Sequence, residues 1–118
     1  MHNGYIKAYR KIVYSPVFGD SKKFKLWFLC LCKVTHTEHK QYVGNQILVL
    51  EKGQFVTGRQ SLAREYNKGE KPSEIVSEHT LWRWLKMFEK DGMLHIESST
   101  KYSVITVLNW NYYQLGEQ

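Results

Sequence analysis

His79, Trp82, Arg83, Lys86 and Lys90 stand at offsets 0, 3, 4, 7 and 11, so on a helix they share one face. The chemistry open to that face is recognition of a polyanion. Arg83 can make two parallel bonds to a guanine edge and Lys86 and Lys90 can neutralise phosphates, while Ser77 and Thr80, at the start of the same segment, can donate to a phosphate. Trp82 is the odd member. An exposed Trp is costly, so it either stacks on a sugar or an unpaired base, or is covered by a second subunit or by the loop before the helix. The acidic neighbours Glu78, Glu89 and Asp91 dilute the charge, and Lys and Arg also occupy ordinary solvated helix faces. On residue types alone both readings stay open.

Other chemistries have weaker carriers. Cys30, Cys32, His36 and His39 are zinc-ligand types, but two residues two apart on a helix point about 160° away from each other, which defeats a shared metal. No Gly-rich phosphate loop, nucleophile elbow or HExxH is present, and the carboxylates are scattered singly. The expectation is a protein with no catalytic residues, no metal and no cofactor, hence not an enzyme.

The elements that must position the basic face can be read from periodicity. Leu81, Trp84, Leu85 and Phe88 follow the i, i+3, i+4, i+7 pattern of a buried stripe on the opposite side of the same helix, with Ser77 as its cap and Gly92 as its stop. Before it, RQSLAREY predicts a short helix starting at Thr57-Gly58 and stopping at a left-handed Asn67, and KGEKPSEIV over 68–76 reads as a long loop. After it, MLHIES and KYSVITVLNW predict a β-hairpin over 93–110 with Lys101 at the tip, either a phosphate contact or an ordinary turn residue. Two helices followed at once by a hairpin is the order of a winged helix-turn-helix, which tilts the basic stripe towards DNA.

Upstream, residues 41–58 predict a β-hairpin or strand pair turning at Glu51-Lys52-Gly53. Residues 1–40 predict two basic helices, one from Tyr5 to Tyr14 stopped by Ser15-Pro16, the other from Asp20-Ser21 to about Thr35 with an apolar, buried middle from Leu26 to Cys32. The chain of 118 residues is then one α+β domain over 1–118, a winged helix-turn-helix with an additional N-terminal helical segment, a hairpin before the motif, and the helix-turn-helix itself over 59–90.

Charge separates these regions. The net +6 lies entirely in residues 1–40, with eight basic and two acidic residues, whereas 41–118 hold nine of each. This favours a polyanionic partner and disfavours an acidic-tail or chaperone-like role. Lys7, Arg10, Lys11, Lys22, Lys23 and Lys25, interleaved with Tyr5, Tyr9 and Phe24, are candidates to track a phosphate backbone, or alternatively a solubilising face beside core aromatics. No stretch approaches the roughly 18 apolar residues of a membrane span and the first residues lack a signal-peptide pattern, so a cytoplasmic protein with reduced cysteines and no membrane partner is expected. Tyr5, Tyr9, Ile12 and Trp110 offer apolar material for a homodimer.

The stretches GYIKAYRKIVYSPVF, FKLWFLCLCKVTH, LEKGQFVTGRQSLAREY, SEHTLWRWLKMFEKDGML and TKYSVITVLNWNYYQ together resemble the N-terminal winged-helix domain of DnaD-like phage replication proteins, the replisome organisers. The resemblance spans nearly the whole chain, and its most specific pair is GQFVTGRQSLA with KYSVITVLNWNYYQ. It implies a phage- or prophage-encoded protein of a bacterial host that binds origin or single-stranded DNA, self-associates and contacts a helicase or helicase loader. It also implies that Ser77 to Lys90 is the recognition helix and Leu94 to Val107 the wing. The expected function is a DNA-binding accessory of phage or mobile-element replication initiation. Two alternatives remain: a small winged-helix transcriptional regulator, and a protein-interaction module that keeps the winged-helix core but binds a host or phage protein.

Overall fold

The computed structural model describes residues 10–108, with side chains from Ile12 onward. Three α-helices and two small antiparallel sheets make an α+β fold: α1 (Ser21–Lys33), β1 (His39–Val43), β2 (Gln46–Leu50), β3 (Gln54–Thr57), α2 (Arg59–Tyr66), α3 (Glu78–Lys90), β4 (Leu94–Ser98) and β5 (Ser103–Val107). Short 3₁₀ segments occupy Arg10–Tyr14 and Pro72–Glu74. The helix expected from Tyr5 to Tyr14 therefore lies mostly outside the described residues, and its last five residues are 3₁₀ rather than α.

α1 begins where Asp20 accepts the Lys23 N–H at 3.1 Å, satisfying a donor that the first turn leaves open. It stops at Lys33, two residues short of the expected Thr35, because Val34 is extended and the Thr35 N–H is taken by the Gln54 carbonyl at 2.9 Å. Its middle is not buried all round. Leu26, Trp27, Cys30 and Leu31 face the core, Phe28 and Leu29 are half-buried, and Cys32 is exposed, as a 3.6-residue period demands.

The hairpin expected over 41–58 is corrected. β1 and β2 pair with each other through a two-residue loop, Gly44-Asn45, where Gly44 has φ +59 as such tight turns require. The turn at Glu51–Gly53 instead hands the chain to a second sheet, in which β3 lies beside β5 and β5 beside β4. Residues 51–53 are turn-forming in both readings; what differs is that β3 finds its partner about fifty positions away.

The three-stranded sheet buries alternate residues, Leu94 and Ile96 on β4 and Ser103, Ile105 and Val107 on β5, against the helices. Trp27 of α1 meets Phe88 of α3 edge to face at 5.8 Å between ring centroids, so α1 and α3 share the same core as the sheet. α3 starts at Ser77, whose Oγ accepts the Thr80 N–H at 3.1 Å, and ends before Gly92, whose φ of +77 a residue with a Cβ would resist.

Segment 68–76 leaves and returns at one point. Asn67 Oδ1 accepts the Val76 N–H at 2.9 Å while Asn67 Nδ2 donates to the Val76 carbonyl at 2.8 Å and to the Ala63 carbonyl at 2.9 Å. Asn67 is thus a staple and not the expected left-handed stop: its φ is −90, and the positive φ falls on Gly69. Closing the loop at its base lets α2 and α3 pack as though the excursion were absent.

Candidate nucleic-acid interface

α3 buries Leu81, Trp82, Leu85 and Phe88, offsets 0, 1, 4 and 7, against the core. The opposite face is His79, Arg83, Lys86 and Lys90, all exposed, with Met87 exposed beside them. The expected stripe is therefore present except for Trp82, which is corrected: it is only 5% exposed, and the Arg59 guanidinium lies 5.5 Å from its ring centroid. Trp84, expected in the buried stripe, is half-buried against the core edge. Periodicity places both residues on flanks of the apolar face. Over Trp82 lies Arg59 of α2, an element separated from α3 by segment 68–76.

Charge pairing distinguishes the basic residues. Among the described residues, Arg83 and Lys90 of α3, Arg59 of α2 and Lys101 of the β4–β5 tip have no carboxylate within ion-pair distance, and Lys86 has only a 3.9 Å approach to Glu89. The lysines of α1 differ. Lys22 reaches Glu74 at 3.3 Å, Lys23 its own cap Asp20 at 3.7 Å, Lys25 Glu70 at 2.6 Å and Lys33 Glu65 at 2.7 Å. Lys22, Lys23 and Lys25, expected as backbone-tracking cations, thus spend part of their charge inside the molecule, with Glu74 and Glu70 of segment 68–76 as the partners of Lys22 and Lys25. The hydrogen bond from Lys25 holds the Glu70 carboxyl below its ordinary range. Tyr66 completes that side, donating its hydroxyl to the Lys22 carbonyl at 2.8 Å, with its pKa pushed up to about 12 chiefly by burial.

Lys7, together with Tyr5, Tyr9 and Trp110, lies outside the described residues, as do the side chains of Arg10 and Lys11. Ile12, considered for a dimer contact, is half-buried against the core. Ser77 is exposed but its hydroxyl already donates to Thr80 Oγ1 at 3.0 Å, leaving the Thr80 hydroxyl proton as the one directed away from the cap.

The hairpin side of α3 is fixed by Glu89. Its Oε2 accepts the Ile96 N–H at 2.9 Å and lies 3.2 Å from His95 Nδ1, tying the outer strand β4 to the last turn of α3. Glu89, weighed in the sequence as a diluting charge, therefore has a structural use. Arg59 was missed by the sequence reading. The available signal was a basic residue directly after Gly58, at the first position of the helix that precedes α3.

Cys30 and Cys32 are both free; Cys30 is fully buried, its thiol pushed up to about 12 by burial, and Cys32 faces outward. His39 Nδ1 is 2.9 Å from Thr35 Oγ1. Among the described residues, no three His, Cys, Asp or Glu side chains come together to hold a metal ion, and no helix is long and apolar enough to cross a membrane.

No family model, curated protein or solved structure matches this chain.

Proposed function

We propose that this chain is a winged helix-turn-helix DNA-binding protein, a replication-initiation accessory of the kind the DnaD-like resemblance implies. In this reading α3 enters a DNA groove and the β4–β5 hairpin is the wing. Arg83 reads base edges; Lys86, Lys90 and Lys101 meet phosphates, and the N-terminus of α3 with Thr80 meets another. The observation that carries the reading is the exposed cationic face of α3, where Arg83 and Lys90 have no carboxylate partner and Lys86 only a 3.9 Å approach to Glu89, next to a hairpin whose inner strand also pairs with β3. A solvated face explains the cations equally well in isolation; what favours the DNA reading is that Arg83, Lys86 and Lys90 share one helix face beside a hairpin, whereas Lys40, Lys52, Arg64, Lys68 and Lys71, also without carboxylate partners, are spread over other parts of the chain. Self-association and a helicase or loader contact in a bacterial cytoplasm belong to the same proposal through the resemblance.

The test is fluorescence anisotropy with single-stranded, duplex and forked DNA at low salt, repeated with Arg83→Ala. Binding that weakens with the substitution supports the reading, and absence of binding to all three overturns it. A transcriptional regulator would differ by preferring one palindromic or repeated site. A protein-interaction role is favoured by one observation: Tyr42, Ile47 and Val49 are exposed on a single face of β1–β2. That role predicts a chain that binds none of the DNA forms.

A further inference from the structure

Between the start of α2 and the tip of the β4–β5 hairpin lies a cleft of about 270 Å³, to which α2 brings Arg59, the hairpin tip Lys101 and α3 Trp82. Its volume falls at the lower edge of the roughly 300–1,000 Å³ typical of small-ligand sites, so it suits one small group and not an extended ligand. Two cations and no carboxylate line it. The group it takes is therefore an anion.

The state of Trp82 narrows the choice further. With 5% of its surface exposed and Arg59 over its ring, it has no open face on which a base can stack. A guanidinium lying on an aromatic face still presents its N–H edge, and that edge matches a phosphate in two-bond geometry. Ser98 and Ser103 share one hydrogen bond at 2.8 Å between their hydroxyls, which leaves one of their two protons for an acceptor. The tip is also held in shape. Ser99 Oγ accepts the N–H groups of Lys101 and Tyr102 and donates to the Tyr102 carbonyl, so less ordering is needed on binding.

We propose that this cleft seats one phosphate group of a nucleic-acid strand, gripped by Arg59 and Lys101, an inference that rests on the α3 reading above. The seat links the start of α2 to the wing and fixes the strand's register relative to α3. An internal diester and a terminal monoester share the required chemistry, and the experiment separates them.

The ¹⁵N-labelled full chain is titrated with a duplex and with a single strand, each carrying either a 5′-hydroxyl or a 5′-phosphate, while amide shifts are followed by NMR. The amides of Ser99 to Tyr102 and the Trp82 indole shift together with those of His79 to Arg83. Arg59→Gln abolishes the cleft shifts and weakens binding about five- to tenfold while the α3 shifts persist, and Arg59→Lys restores part of the affinity. Cleft shifts with the 5′-hydroxyl strands identify an internal diester; shifts only with phosphorylated ends identify a terminal phosphate; both uphold the seat. Shifts on α3 without any at the cleft overturn the seat and leave the α3 reading standing. Shifts at the cleft without any on α3 overturn the α3 reading and with it the seat's role in setting register against α3, and no shift with any strand overturns both.

Discussion

On the proposed reading of α3 as a nucleic-acid face, raising the salt concentration from 50 to 200 mM tests how many phosphates are engaged. Each cation that displaces a condensed counterion from duplex DNA contributes about −0.9 to the slope of log affinity against log salt. The proposed contacts neutralise three phosphates, one held jointly by Arg59 and Lys101, one by Lys86 and one by Lys90. The expected slope is then about −2.7, or roughly a 40-fold loss of affinity over that interval. On a single strand, at about −0.7 per phosphate, the loss falls to roughly 20-fold. Fluorescence anisotropy across the series measures the slope directly, and Lys90→Ala should reduce it by about one unit. A loss below about fivefold, or a slope unchanged by Lys90→Ala, refutes the counting. A slope steeper than about −6 would mean that further cations join the contact, either Lys7, Arg10 and Lys11 or α1 lysines that leave Glu74, Asp20 and Glu70.

Asn67→Ala removes the staple and leaves the Val76 N–H without its acceptor in a half-buried setting, so stability falls by about 2 kcal/mol in a urea titration; no measurable change contradicts the closed-loop description. Glu89→Ala frees the Ile96 N–H on the outer strand and costs about 1–2 kcal/mol, with faster hydrogen exchange at the Ile96 amide as the local signature. Because Lys25 lowers the Glu70 pKa, that pair adds stability above the unfolded carboxyl value near 4.5 and loses it as pH falls through the lowered folded value. The acid limb of a stability-against-pH profile should flatten in Glu70→Gln, and an unaltered limb contradicts the pairing.

Local chemistry was legible from the sequence where the determinants lie within one or two turns. The Ser77 cap, the Gly92 stop, the stripe of Leu81, Leu85 and Phe88, and the strand alternation of β4 and β5 are all short-range patterns. The misreadings came from partners distant in the chain. β3 pairs with β5 rather than closing a hairpin with β2, because strand pairing is decided by packing and not by proximity. Trp82 and Trp84 are two residues apart, and the Arg59 guanidinium lies over the ring of only the first. Summing charge by stretches of chain assigned the attractive surface to residues 1–40, yet Lys22 and Lys25 meet Glu74 and Glu70 in space. Among the described residues, cations without a carboxylate partner occur in several parts of the chain, Lys40, Lys52, Arg64, Lys68 and Lys71 among them; α3 and the β4–β5 tip differ in gathering theirs on one helix face and the adjoining hairpin.

Equal changes of charge on the two faces test this most directly. Arg83→Gln with Lys90→Gln, and Lys22→Gln with Lys23→Gln, each remove two positive charges; both double variants are checked for folding by circular dichroism and titrated with DNA at 50 mM salt. The α3 pair should lose about 20-fold or more in affinity and the α1 pair less than about twofold. Equal losses, or a loss confined to the α1 pair, would contradict α3 as the nucleic-acid face.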